Sequence, residues 1–131
     1  MLWSTDDGSN GFRGNVVDLM RTWYDEENGP KLAHVIGPIP MMRAAAGLTQ
    51  EWGVPTFASL NPVMIDGTGM CGGCRVTVGG RVRFACVEGP EFDAHQVDFD
   101  ELAHRNRAYG EFERRALDGH ECRIGLNGCA V

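Results

Sequence analysis

Lysine is almost absent from this chain. Of twelve Lys and Arg residues only Lys31 is lysine, and eighteen Asp and Glu leave a net charge of −6. No basic stripe forms that could neutralise phosphates, so the charge argues against nucleic acid as a partner. Long apolar runs are missing too. Gly and Pro interrupt each one well short of the roughly 20 residues that span a bilayer, so no membrane partner is expected. The opening MLWSTDDGSN has no basic stretch leading into an apolar core and does not read as an export signal. Cysteine is scarce and odd in number, five in all. Without export, a disulfide framework fits poorly, and metal or redox chemistry in a cytoplasmic protein fits better.

What is present is a spacing. Asp66, Cys71, Cys74 and Cys86 follow the pattern D-x4-C-x2-C-x11-C. The plant-type [2Fe–2S] pattern is C-x4-C-x2-C with a distant fourth Cys. This chain matches it with Asp66 in the first Cys position. Two irons and two sulfides need four anionic ligands, and a carboxylate serves as one. Residues 66–73 contain four glycines, a composition that turns backbone N–H groups toward thiolates. Arg75–Val78, Gly79-Gly80 and Arg81–Phe84 then read as a β-hairpin with a two-residue turn. That hairpin returns Cys86 toward Cys74.

Two plainer readings compete. Cys71 and Cys74 also suit tetrahedral zinc, which His95, Cys122 or Cys129 could complete. An Asp before Gly-Thr-Gly is also an ordinary turn residue. Cys122 and Cys129 match no defensible ligand pattern and read as free thiols. Met41 and Met42 read as core, His34 as packed, and Trp3, Trp23 and Trp52 as core or edge packing.

The upstream half alternates helix and strand. A helix from an Asn15 cap runs through Trp23 and ends by Gly29-Pro30, and Leu32 to Ile36 is a strand. Pro40 starts a helix that runs to Trp52, and Thr56 to Leu60 is a second strand. This rhythm predicts an α/β fold with a parallel sheet and crossover helices. It amounts to about half of a doubly wound nucleotide-binding domain. Asp98, with Glu101 three positions on, starts one last helix expected to reach about Leu117. The division expected is 1–60 for the partial nucleotide-binding unit, 61–98 for the cluster unit, and 99–131 for a helix and tail.

The run SLNPVMIDGTGMCGGCRVTVGGRVRFACVEGPEFDAHQVDFDEL resembles a known family. It is similar to the C-terminal cluster domain of the flavin/NAD-binding subunit of sulfide dehydrogenase and of NADH-dependent reduced ferredoxin:NADP oxidoreductase. The dihydroorotate dehydrogenase electron-transfer subunit is a near relative that carries Cys where this chain has Asp66. The resemblance implies that Asp66, Cys71, Cys74 and Cys86 hold a [2Fe–2S] cluster. Thr5 to Ser9 and Val35 to Met42 resemble the later part of a ferredoxin-reductase-type NAD(P) domain. Asp6 and Asp7 are thereby implied near the adenosine end of the dinucleotide, and Gly37, Pro38 and Met41 near the nicotinamide. The implied cofactors are the cluster, a partial NAD(P) site, and FAD only in a complete subunit. The implied partners are a larger flavin/iron–sulfur subunit, as a heterodimer, and ferredoxin. The implied activity is that of the C-terminal part of an oxidoreductase subunit, not competent alone. No catalytic acid, base or nucleophile is expected. The chain reads as a fragment lacking the flavin barrel. A zinc-stabilised module without redox activity and an inactive remnant are the other expectations.

Overall fold

The computed structural model describes residues 1–27 and 29–119. The expectations for Cys122 and Cys129 lie outside these residues. The chain is α/β, a parallel strand pair with its crossover helix followed by a separate hairpin unit.

β1 (Ser4–Thr5) and β2 (Phe12–Arg13) form a short parallel pair. Helix α1 (Val16–Trp23) follows, with the Asn15 side chain accepting the Asp18 N–H at 3.0 Å. It stops well before Gly29-Pro30. Tyr24 turns to extended backbone, and its ring stacks on Trp52 with centroids 3.9 Å apart. That aromatic contact ends the helix earlier than the Gly-Pro signal suggests.

The main sheet is built from β3 (Ala33–Ile36), β4 (Thr56–Ser59) and β7 (Glu91–Asp93). β3 and β4 are parallel, joined by α2 (Ile39–Glu51), the expected crossover. β7 adds antiparallel to β4, pairing Phe57 with Asp93 and Ser59 with Glu91. Three residues carry no readable strand period, so only the partner strand defines β7.

β5 (Arg75–Val78) and β6 (Arg81–Phe84) form the expected hairpin. Gly79 and Gly80 have φ of 57° and 71°, as a two-residue primed turn demands. One helical turn, α3 (Ala85–Glu88), follows directly. A 3-10 turn, Ala94–Gln96, then fastens the hairpin to the sheet. The Gly79 N–H donates to Gln96 O at 2.8 Å, and the Asp98 N–H donates to Thr77 O at 2.9 Å.

The single last helix expected is two helices, α4 (Phe99–Arg107) and α5 (Gly110–Asp118). The Ala108 N–H closes a tighter turn onto Arg105 O, and Gly110 is a poor helix interior residue. At the start of α4, Asp98 accepts the Glu101 N–H at 2.9 Å. The reciprocal half of that capping box is absent, because the Asp98 N–H is already committed to Thr77. Among the described residues Glu101 Oε2 is buried without a hydrogen-bond partner.

One apolar cluster runs through all of this. Met42, Ala45 and Leu48 of α2 meet Val35 and Ala58 of the sheet, then Cys74, Val76 and Ala85, then Phe99 and Leu102. Met42 is fully buried, and Met41 packs beside the core. His34 is exposed, stacked on the Phe57 ring at 5.5 Å. Trp3 and Trp23 are more than half exposed. Among the described residues no helix is long and apolar enough to cross a membrane.

Candidate metal centre

β4 ends at Ser59, and the next residue, Leu60, donates its N–H to Pro90 O at 2.9 Å. The loop that leaves there carries Asp66 and Cys71. Asp66 folds it. Its Oδ1 accepts the Thr68 N–H at 2.9 Å and its Oδ2 accepts the Cys71 N–H at 2.7 Å. These two backbone bonds hold the carboxyl below the ordinary aspartate value. The turn-residue reading of Asp66 is therefore realised. Each carboxylate oxygen has two lone pairs, so one on each stays free for a metal.

Cys74 is buried at the start of β5, and Cys86 sits on α3 where the hairpin returns. Their Sγ atoms lie 3.2 Å apart in a hydrogen bond, with no disulfide between them. Burial pushes the Cys74 thiol up, yet the Cys86 N–H and thiol more than offset this, and it lies below the ordinary value. The Cys74 sulfur holds Cys86 above its ordinary value, with burial adding to the rise. Backbone donors surround these sulfurs. The Cys86 N–H points at Cys74 Sγ at 3.5 Å and the Gly73 N–H at Cys71 Sγ at 3.4 Å.

The four candidates therefore stand as two adjacent pairs, Asp66 with Cys71 and Cys74 with Cys86. Asp66 is near enough to raise the Cys86 thiol through its charge. Among the described residues no three His, Cys, Asp or Glu side chains converge on one point. A mononuclear zinc site needs four donors around one ion. Two pairs of donors suit a two-iron cluster. The donor chemistry fits the group as well, with thiols and a carboxylate each backed by N–H groups.

The nucleotide candidates fall in two places. Gly37 and Pro38 form the turn into α2, and Pro38 is its cap residue. Gly37 has φ of 155°, and an added Cβ would collide with the Met41 methyl. Met41 and Pro40 line a cavity of about 580 Å³ with Asn15, Asp18 and Arg21. Asp6 and Asp7 belong to the loop after β1 and do not line it. Asp7 accepts the Ser9 N–H at 2.9 Å, a turn bond that lowers its carboxyl.

Sequence reasoning missed α3 and its Glu88, whose carboxylate bonds Arg83 and the Phe84 N–H. The only local signal was an acidic residue two positions after Cys86.

Residues 61–98 match the iron–sulfur cluster binding domain of dihydroorotate dehydrogenase B. An electron transfer subunit homolog of that enzyme from Thermotoga maritima is 48% identical over 114 residues, which are 87% of this chain and 40% of that protein. An uncharacterized protein of the adh 3′ region of Clostridium beijerinckii is 51% identical over 132 residues, 96% of this chain and 44% of that protein. The structure of NADH-dependent reduced ferredoxin-NADP oxidoreductase superposes with a TM-score of 0.80 at 45% identity, over 89% of this chain and 42% of that one. The chain spans about four-tenths of the length of these proteins.

Proposed function

We propose that this chain, a relative of the dihydroorotate dehydrogenase B electron-transfer subunits, holds a [2Fe–2S] cluster through Asp66, Cys71, Cys74 and Cys86. The observation that carries the reading is the Cys74–Cys86 pair. Two unbridged thiols 3.2 Å apart are delivered by a hairpin to the side of the Asp66–Cys71 loop. The family match over residues 61–98 supports the same unit as the cluster-binding segment. When bound, such a cluster exchanges one electron at a time.

The chain's own residues then have defined tasks. Asp66 folds the loop and offers a hard oxygen among sulfurs. The N–H groups of Gly73 and Cys86 stabilise negative charge on the Cys71 and Cys74 thiolates. Cys74, buried in the core, ties the site to the sheet. In this reading the chain is the C-terminal part of an NAD(P)H-dependent flavin oxidoreductase subunit. It passes single electrons between a flavin held elsewhere and a partner subunit or ferredoxin. The Gly37-Pro38 turn and Met41 contribute one wall of the dinucleotide site, with Asp6 and Asp7 at its adenosine end. Met70, 89% exposed, and Ile65, 70% exposed, flank the cluster loop and support a covering partner. Three free thiols among the described residues support a reducing, cytoplasmic setting.

Anaerobic reconstitution with iron and sulfide tests the reading. The expected product is brown, holds two irons per chain and bleaches on reduction. A colourless chain that retains one zinc, or no metal at all, overturns it.

A further inference from the structure

Cys86 sits on a helix too short to hold itself. α3 has four residues, and one isolated turn is unfavourable. Its cap residue is Phe84, which offers no side-chain acceptor. The inner side of the turn is fastened by Cys74. The fully buried Ala85 donates its N–H to Cys74 O at 3.1 Å, and the Cys86 N–H points at Cys74 Sγ. The outer side is fastened by Glu88. Its Oε2 accepts the Phe84 N–H at 2.9 Å, and its Oε1 receives Arg83 Nη1 at 2.5 Å.

We propose that Glu88 is a positioning residue for Cys86, closing the turn from its far end so that the Cys86 sulfur faces Cys74. This role rests on Cys86 being a ligand of the proposed cluster. Glu88 does for α3 what the acid of a capping box does elsewhere, reaching back to the N–H of the cap residue, here Phe84. The partner Arg83 aims the carboxylate. That ion pair is half-exposed and contributes little stability by itself, so the bond to Phe84 is the part that matters.

The test uses the full chain, with Glu88→Ala and Glu88→Gln. In the metal-free chain, Glu88→Ala is expected to speed exchange of the Phe84 amide about tenfold or more, the scale of one hydrogen bond to a charged group. In the iron-loaded chain it is expected to release iron to a chelator several-fold faster and to broaden the paramagnetic resonance of the reduced cluster. Glu88→Gln keeps a neutral acceptor and is expected to recover most of both. Unchanged Phe84 exchange in Glu88→Ala overturns the inference. So does faster exchange with identical iron release and an identical spectrum. A wild-type chain that binds no iron overturns the cluster reading alone, while unchanged Phe84 exchange in metal-free Glu88→Ala overturns the role of Glu88, so the two failures are told apart.

Discussion

The Cys71 N–H and the Asp66 carboxylate are hydrogen-bonded at 2.7 Å across five positions, so one side chain both folds the cluster loop and faces its first cysteine. Asp66→Cys is expected to keep the cluster and move its midpoint by tens of millivolts or more, since ligand changes shift such potentials widely. Asp66→Ala is expected to lose both the loop bonds and most of the iron. Redox titration and iron analysis check this, and an unchanged midpoint in Asp66→Cys removes Asp66 from the ligand set.

Cys74→Ser and Cys86→Ser are expected to abolish stable cluster binding, since either change breaks the sulfur pair. Cys122→Ser and Cys129→Ser are expected to leave iron content unchanged. Retention of iron by Cys74→Ser, or its loss from Cys122→Ser, contradicts the assignment.

Leu102 is almost wholly buried where α4 meets the hairpin. Leu102→Ala is expected to destabilise the chain by about 2–5 kcal/mol, the range for a core Leu truncation. Chemical denaturation of the metal-free chain measures it. A loss well under 1 kcal/mol argues that α4 does not pack on this core.

Thr49 is fully buried, and its hydroxyl meets three groups. It donates to Ala46 O at 3.1 Å and contacts Thr56 Oγ1 at 2.7 Å and His95 Nε2 at 3.2 Å. Thr49→Val keeps the volume and removes the hydroxyl that Thr56 Oγ1 and His95 Nε2 meet, at an expected cost of about 1–3 kcal/mol. The same denaturation experiment reads it, and a neutral result shows the network to be dispensable.

Asp7 lies below its ordinary value because the folded loop donates the Ser9 N–H to it. A depressed carboxyl contributes stability above its unfolded pKa and loses it as pH falls through the folded value. The loop after β1 is therefore expected to be held at neutral pH and released in acid, below about pH 4. Following the Asp7 carboxyl by NMR checks this, and a midpoint at or above the ordinary value removes the turn bond.

Much of this was legible locally. The spacing from Asp66 to Cys86, the glycine pair between Val78 and Arg81, and Pro40 in the first turn of α2, one residue after its start at Ile39, each state a short-range constraint that backbone sterics and metal chemistry impose on their own. Other features were illegible because their cause lies far away in the chain. α1 stops at Trp23 because Tyr24 stacks on Trp52. Asp98 cannot complete its capping box because Thr77 holds its N–H.

Residue types and intervals alone thus determined the hairpin, the parallel crossover and the candidate donors Asp66, Cys71, Cys74 and Cys86, because each is marked by short local patterns of turn residues, periodicity and spacing. Folding in three dimensions decided that β7 closes the sheet, that the donors stand as two pairs, and that Glu88 completes the turn bearing Cys86. Those outcomes depend on which unsatisfied backbone groups and buried surfaces meet across the chain, and a linear pattern does not encode that meeting.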